Sequence, residues 1–286
     1  MTTSTDRESA FATEHVDPAI EPQASPELQT WRDPARRPVP LGPPVGADSL
    51  QGWTQPRPRR ITIIVPTLNE EAGITQVLGD IPRSRLRALG FDPRILVVDG
   101  NSTDQTRELA EAMGAKVHVQ EERGKGNAFR EIVPLLEGEF AVMVDGDGTY
   151  PVRKIPELIE LLDSGYDVVS GSRLAGDIES AAMSGLHRLG NRALTGLANA
   201  LYRDDRTSDL CTGLWGFRTK ALKQMRLSAQ GFELEADLYS ETVSRGFRYT
   251  EVPIAYAKRH GETKLSAGMG LRIALKLVSK KFGRGA

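Results

Sequence analysis

The chain has one cysteine, Cys211, among its 286 residues. It therefore has neither an internal disulfide nor a cysteine-based zinc site, and a secreted disulfide framework is excluded. No apolar run approaches the roughly 18 residues that a membrane-spanning helix needs. The N-terminus also lacks the basic and apolar regions of a signal peptide. We therefore expect a cytoplasmic protein that does not cross a membrane.

The chain has no excess of either charge, because 37 Lys and Arg balance 38 Asp and Glu to give a net charge of −1. This balance argues against a protein that binds nucleic acid through its phosphates. Hydrophobic residues make up 39% of the chain and charged residues 26%, which is typical of a globular protein. Its four histidines form no evident catalytic pair with a nucleophile.

Residues 1–58 contain 10 of the 17 prolines and few large aliphatic side chains. Such a segment buries too little apolar surface to offset its ordering entropy, so we expect a disordered extension. A folded domain is expected over residues 59–266, followed by a C-terminal helix within 267–286.

Short β-branched runs alternate with helical patterns through the first part of the domain. Strands are expected at 59–65, 94–98, 115–119, 140–144 and 168–170, and helices at 71–81, 103–113, 127–136 and 155–162. Further helices are expected at 186–201 and 233–245, a strand at 214–218, and extended segments at 249–252 and 254–257. This alternation predicts an α/β fold with a mainly parallel, Rossmann-like central sheet covered on both faces.

Asp145-Gly146-Asp147 follows the apolar run 140–144 directly. Hard oxygen ligands at the carboxyl end of a strand suit Mg²⁺ or Mn²⁺, which bind through one or two carboxylates and substrate phosphates. A polar turn that closes the strand is the alternative interpretation of this short motif.

Polar residues also follow the first two strands, among them Asn69, Glu70 and Asp99. Taken singly, Asn69 and Ser102 or Thr103 could each cap a helix. Together these loops place several carboxylates along one crevice, which is costly without a cation or a polar ligand.

Four motifs then carry a resemblance to a known family: Pro66-Thr67-Leu68-Asn69-Glu70, Asp99-Gly100-Asn101-Ser102-Thr103-Asp104, Gly124-Lys125-Gly126 and Asp145-Gly146-Asp147. In this order they resemble the family 2 glycosyltransferases of the GT-A fold. Four more motifs narrow the resemblance to dolichyl- or polyprenyl-phosphate sugar synthases: Gly171-Ser172-Arg173, Arg188-Leu189-Gly190-Asn191, 208–213 and 259–264. The similarity spans about residues 60–266.

The resemblance implies roles for individual residues. Those expected to bind the nucleotide sugar are Pro66, Asn69, Glu70, Asp99, Lys125, Asp145, Gly146 and Arg173. Asp145 and Asp147 would hold the metal, Mg²⁺ or Mn²⁺, and Arg188, Arg259 and Lys264 would bind an acceptor phosphate. The catalytic set would be Asp147, Asp209 and Arg188. Solvated surface charge is the alternative for the arginines and Lys264, and loop stabilisation or capping for Asp209.

The implied reaction is metal-dependent, inverting transfer of a hexose from a UDP-glucose or GDP-mannose type donor to polyprenyl or dolichyl phosphate. A hydroxyl acceptor on a small molecule or glycan, with Asp209 as base, is a second hypothesis. A nucleotide-sugar-binding scaffold without turnover is a third. A Rossmann dehydrogenase is disfavoured, because no Gly-x-Gly-x-x-Gly follows the first strand.

Residues 271–282 have helical periodicity, with Leu271, Leu275, Val278 and Phe282 on one face. A basic amphipathic helix is typical of a segment that lies in an anionic membrane interface. Packing of this helix on its own domain, with a solvated basic face, is the alternative.

Overall fold

The computed structural model describes residues 58–180, 182–204, 206–259 and 268–283, and within them seven strands form one sheet. The strands are β1 Arg59–Thr67, β2 Phe91–Asp99, β3 Lys116–Val119, β4 Phe140–Met143, β5 Val168–Ser172, β6 Trp215–Arg218 and β7 Tyr249–Pro253. Their order across the sheet is β3-β2-β1-β4-β6-β5-β7. All neighbours are parallel except β6, which runs antiparallel to both β4 and β5. The prediction of a mainly parallel α/β fold is therefore confirmed.

The helices are α1 Ile74–Asp80, α2 Arg83–Ala88, α3 Thr106–Ala112, α4 Lys125–Ile132, α5 Ile155–Asp163, α6 Gly185–Tyr202, α7 Thr219–Leu222, α8 Leu234–Ser244 and α9 Met269–Phe282. Short 3₁₀ turns cover Val133–Leu135 and Val152–Lys154. No helix in the described ranges is both long enough and apolar enough to span a membrane.

Apolar side chains pack on both faces of the sheet, which explains why the early strands are almost continuously apolar. On β1, Ile61 and Ile63 belong to one core cluster and Ile64 to the other. Phe140 and Met143 of β4 divide between the two clusters in the same way. A strand buried on both faces needs apolar residues at successive positions.

The expected elements differ from the observed ones chiefly at the loops that follow β1 and β2. Helix α1 begins at Ile74 and α3 at Thr106, three residues later than predicted in each case. The intervening residues are held by hydrogen bonds between the two loops, so they are unavailable for a regular first turn. Segment 254–257 was expected to be extended, but it forms only an isolated bridge between Tyr256 and Ile178. Helices α2 and α7 were not predicted.

The parallel pairing of β1 with β2 and β4 brings their carboxyl ends together. Thr67 pairs with Asp99 across β1 and β2, and Ile64 pairs with Met143 across β1 and β4. Gly100 N–H extends the first pairing by donating to the Thr67 carbonyl at 2.7 Å. Three of the sequence motifs therefore lie at the same edge of the sheet.

Candidate active site

A cleft of about 370 Å³ opens at this edge of the sheet. Its walls include eight of the residues chosen from the sequence: Pro66, Asn69, Glu70, Lys125, Asp145, Gly146, Asp147 and Arg259. Phe232, in the segment before α8, also lines it. The fold thus brings into one cavity residues as far apart in sequence as Pro66 and Arg259.

Asn69 joins the two loops that form one wall of the cleft. Its N–H donates to Ser102 Oγ at 2.9 Å, and its Oδ1 accepts from Thr103 N–H at 2.8 Å. Asn69 has a φ of 51°, a left-handed conformation that asparagine tolerates better than most residues. The N-cap positions of α1 and α3 are Gly73 and Gln105, so the helix-cap interpretation of these residues is wrong.

Asp99 lies beneath this wall and is fully buried. Its Oδ2 accepts from Ser102 N–H at 3.0 Å and lies 3.7 Å from Arg107 Nε. Its Oδ1 has no hydrogen-bond partner within the described residues. A buried acceptor without a donor costs about 1–3 kcal/mol. Asp99 is not among the residues that line the cleft.

Asp147 is almost completely buried, and both of its carboxylate oxygens have partners. Oδ1 accepts from Thr149 N–H at 3.0 Å and from Thr149 Oγ1 at 2.6 Å. Oδ2 pairs with Arg259 Nη2 at 2.7 Å. Thr149 therefore orients Asp147.

Asp145 is more open, with 25% of its side chain exposed, and its Oδ1 accepts from Lys125 Nζ at 2.6 Å. No cluster of three or more His, Cys, Asp or Glu suited to a metal exists within the described ranges. The two carboxylates nevertheless fit a divalent cation of the Mg²⁺ type, which takes its other ligands from phosphate oxygens and water. Each carboxylate is paired with a cation, Asp145 with Lys125 and Asp147 with Arg259.

Lys125 is buried between two carboxylates, and its Nζ lies 2.6 Å from both Asp145 Oδ1 and Glu235 Oε1. Burial alone lowers the pKa of this ammonium group, but the two carboxylates outweigh burial and raise the pKa above its ordinary value. Burial raises the pKa of Glu235, and Lys125 opposes that shift. Lys125 therefore stays charged and connects the cleft to α8.

The glycines beside Lys125 allow its loop to approach the segment before α8. A Cβ on Gly126 would lie 2.5 Å from the Ala229 carbonyl oxygen, closer than real Cβ atoms approach. Gly124 has a φ of 113°, and its Cβ would lie 2.3 Å from the Gln230 carbonyl oxygen. Glu235, which this approach brings to Lys125, was missed in the sequence. In the sequence it is one of three acidic residues in α8, with nothing to distinguish it from the other two.

Arg173 and Asp209 form a buried pair, and neither lines the cleft. Arg173 Nε and Nη2 donate to the two oxygens of Asp209 at 2.7 and 2.8 Å, and Asn191 Nδ2 donates to Oδ1 at 2.6 Å. Burial raises the pKa of Asp209, but the hydrogen bonds from Arg173 outweigh burial and hold it below its ordinary value. This geometry supports loop stabilisation for Asp209, and it contradicts the solvated surface charge that was the alternative for Arg173.

The remaining sequence assignments either do not line the cleft or lie outside the described residues. Arg188 is half-buried on α6 and is absent from the cleft walls. Lys264 and His260 lie outside the described residues. The roles assigned to these residues stay predictions.

Gly213 is a further residue that sets the site. A Cβ there would lie 2.2 Å from Asp145 Oδ2 and 3.0 Å from the ring of Tyr150. Gly213→Ala should therefore displace the Asp145 carboxylate, which is mobile enough to move without unfolding the chain. We expect turnover to fall by about 100-fold, because a misplacement near 1 Å costs that much. Initial rates and thermal unfolding test this, and Gly196→Ala on exposed α6, where a Cβ meets nothing, is the control.

A mainly parallel sheet with two acidic residues and two cations at its carboxyl edge defines an α/β protein with a polar site at the ends of its strands. The sequence model of glycosyl transferase family 2 matches residues 62–226. The chain belongs to this family and is a family 2 glycosyltransferase.

Two relatives from Haloferax volcanii show the extent of the similarity. Glycosyltransferase AglJ is 38% identical over 205 residues, which are 71% of this chain but 65% of that protein. A dolichyl-phosphate hexose transferase is 37% identical over 210 residues, covering 73% of this chain and 88% of that protein. The chain thus spans slightly less than two thirds of AglJ.

Among solved structures, glucosyl-3-phosphoglycerate synthase from Mycobacterium tuberculosis shares the fold. Its complex with Mn²⁺, UDP and glucosyl-3-phosphoglycerate is 25% identical, with a TM-score of 0.63 over 78% of this chain and 80% of that chain. The GT-A fold expected from the motifs is therefore confirmed.

Proposed function

We propose that this protein is a metal-dependent, inverting hexosyltransferase. It moves a hexose from a nucleotide diphosphate sugar of the UDP-glucose or GDP-mannose type to polyprenyl or dolichyl phosphate. The observation that carries the proposal is the convergence of Asp145, Asp147, Lys125 and Arg259 on one cleft at the carboxyl ends of β1 and β4. The name of the dolichyl-phosphate hexose transferase relative supports the acceptor, and the Mn²⁺ and UDP of the structural relative support the donor site.

On the donor side, the wall formed by the loops that follow β1 and β2, with Asn69 at its surface, receives the base and ribose. Asp99 lies buried beneath this wall and supports it by accepting from Ser102 N–H. Asp145 and Asp147 would hold the divalent cation, which when bound neutralises charge that develops on the departing diphosphate. Lys125 fixes the orientation of the Asp145 carboxylate, and the second contact of Lys125, with Glu235, holds Lys125 in place.

On the acceptor side, Arg259 lies at the cleft beside Asp147, with 24% of its side chain exposed. Its guanidinium fork suits phosphate oxygens. A phosphate monoester has its second pKa near ~6, so it is largely dianionic at neutral pH and needs no strong base. Its oxygen attacks the anomeric carbon, the bond from that carbon to the β-phosphate oxygen breaks, and the nucleoside diphosphate leaves with the electron pair.

The position of Asp209 favours a phosphate acceptor over a hydroxyl acceptor. A hydroxyl must lose a proton as it attacks, so the site would need a base within hydrogen-bond reach of the acceptor. Asp209 uses both oxygens on Arg173 and Asn191 and lies off the cleft. Its lowered pKa also makes it a weaker base.

The test is incubation of the full chain with radiolabelled UDP-glucose or GDP-mannose, polyprenyl phosphate and Mn²⁺ or Mg²⁺. We expect a labelled product that extracts into organic solvent, absent with EDTA, with inverted configuration at the anomeric carbon by NMR. Label that appears only in water-soluble glycosides would support the hydroxyl acceptor instead. Donor binding without turnover on any acceptor would support the scaffold hypothesis.

A further inference from the structure

Helix α9 turns its larger apolar face away from the protein. Ile273 and Leu277 are buried against the core. The four residues of the other face are exposed: Leu271 by 66%, Leu275 by 59%, Val278 by 39% and Phe282 by 70%. We call these four residues the outer stripe. The membrane-binding and the domain-packing interpretations of the sequence each assigned α9 a single apolar face. The helix has two apolar faces, and the smaller one packs inward.

Two lysines fix α9 in this orientation. Lys280 Nζ lies 2.7 Å from both Asp237 Oδ1 and Glu241 Oε1 of α8, and it donates to the Arg226 carbonyl at 2.6 Å. Lys276 Nζ donates to the Ser228 carbonyl at 3.2 Å. Rotating the helix to bury the outer stripe would break these contacts. It would leave buried Asp237 without its cation and Glu241 with Arg245 alone, which is unfavourable.

The outer stripe is unusual for the surface of this protein. Ten large hydrophobic residues are exposed within the described ranges, and α9 alone contributes four of them. Helix α6, whose Tyr202 hydroxyl donates to the Leu277 carbonyl at 3.2 Å, contributes Leu186 and Leu189, 78% and 65% exposed. Isolated exposed leucines are ordinary, but a concentration of them on two packed helices indicates a contact surface.

The charge around the outer stripe has one sign. Neither α6 nor α9 contains Asp or Glu, although the whole chain has a net charge of −1. At about 100° per residue, Arg272 and Lys281 fall on opposite sides of the outer stripe, each roughly 90° from its centre. Both are exposed. A row of apolar side chains with one cation on each side, Arg272 and Lys281, suits an anionic lipid surface.

A second copy of the chain is a poorer match for the same face. In a two-fold dimer the same patch meets itself, so the cations that flank one outer stripe would approach those of the other. With no acidic residue on either helix, nothing on these helices would compensate them. An anionic surface provides that compensation along the full length of the helix.

We propose that the outer stripe of α9 binds the surface of an anionic phospholipid bilayer, with the helix axis lying in the interface. The four side chains enter the boundary between headgroups and acyl chains, and Arg272 and Lys281 contact lipid phosphates. This inference does not depend on the acceptor, because it needs neither donor nor polyprenyl phosphate.

The test is co-sedimentation of the full chain with vesicles of phosphatidylcholine, with and without phosphatidylglycerol, in the absence of any substrate. We expect binding to the vesicles that contain phosphatidylglycerol, weakened by salt and by omission of the anionic lipid. Leu271→Glu or Leu275→Glu should lower the partition coefficient by about tenfold or more, because each exchanges an inserted apolar group for a repelled charge. Arg272→Gln should reduce binding to the vesicles that contain phosphatidylglycerol, and it should not change binding to vesicles of phosphatidylcholine without it.

Leu135→Glu is the matched control, because Leu135 is 64% exposed in a 3₁₀ turn outside α6 and α9. It adds the same charge to an equally exposed leucine, so it should bind vesicles as the unchanged chain does. Equal binding by Leu271→Glu and Leu135→Glu would overturn the proposal. Failure of the unchanged chain to bind anionic vesicles would also overturn it. So would light scattering that shows an oligomer abolished by Leu271→Glu, if the same substitution leaves vesicle binding unchanged. Each of these results would leave sugar transfer to a soluble acceptor analogue, and hence the proposed function, unaffected.

Discussion

Replacing Asp147 by alanine is expected to lower the rate of sugar transfer by at least about 100- to 1000-fold, the range for loss of a group that stabilises developing charge. The reason is that Asp147 is the more buried of the two acidic residues in the cleft, and Arg259 and Thr149 fix its orientation. Initial rates at saturating Mn²⁺ measure the effect. Isothermal titration with Mn²⁺ and the nucleoside diphosphate gives a second readout that does not require turnover.

Asp147→Asn separates the charge of this residue from its role in the loop. Asparagine keeps the volume and the oxygen that accepts from Thr149, so the unfolding temperature should stay near that of the unchanged chain. The alanine variant also loses these hydrogen bonds, at a cost of about 1–3 kcal/mol. Both variants should be equally inactive, since both lack the negative charge.

Asp104→Asn is the matched control for this experiment. Asp104 Oδ1 accepts from the N–H and hydroxyl of Thr106, two residues later, as Asp147 Oδ1 does from Thr149. Asp104 does not line the cleft. Its replacement should therefore change stability more than turnover. If Asp147→Asn were as active as Asp104→Asn, Asp147 would not be a metal ligand.

The donor side of the cleft could be predicted from the sequence because its determinants are local. Each motif follows a strand, and the carboxyl ends of neighbouring parallel strands meet at one edge. Once Asn69, Asp99 and Asp145 are placed at strand ends, their proximity requires only the order of β1, β2 and β4. The alternation of short strands with helices predicts that order reasonably well.

Contacts that depend on distant pairing could not be predicted. Lys125 meets Glu235 across 110 residues, and the sequence gives no reason to choose Glu235 over the other acids nearby. Arg173 meets Asp209 because β6 inserts antiparallel between β4 and β5, which no periodicity indicates. The choice of which face of α9 is buried likewise depends on α8. Asp237 and Glu241 pair with Lys280, so the face that carries this lysine packs against the protein and the outer stripe does not.

Asp209→Asn is expected to lower the free energy of unfolding by about 3–5 kcal/mol, the usual cost of leaving a buried charge without its partner. Asp209 is fully buried and accepts from Nε, Nη2 and the backbone N–H of Arg173. The side-chain NH₂ group of asparagine would face one of the N–H groups of Arg173, so two hydrogen-bond donors would oppose each other. Chemical denaturation at neutral pH measures the loss.

Glu137→Gln is the matched control, because Glu137 pairs with Arg60 at the surface, where both side chains are largely exposed. The same change from carboxylate to amide should cost less than about 1 kcal/mol there. The pH dependence supplies a second test. The folded pKa of Asp209 is lowered, so its contribution is complete above the unfolded pKa of about 3.9 and is lost as the pH falls through the folded value. The difference in stability between Asp209→Asn and the unchanged chain should therefore be constant near neutrality and shrink in acid.

The double variant Arg173→Met, Asp209→Leu decides between the structural role and the catalytic one. Replacing both members of a buried ion pair by apolar residues often restores stability, because no charge is left unpaired. If the pair is structural, the double variant should regain much of both the stability and the turnover that Asp209→Asn loses. If it regains stability but stays inactive, Asp209 or Arg173 acts in catalysis as the family resemblance implies, and the buried geometry must open when substrates bind.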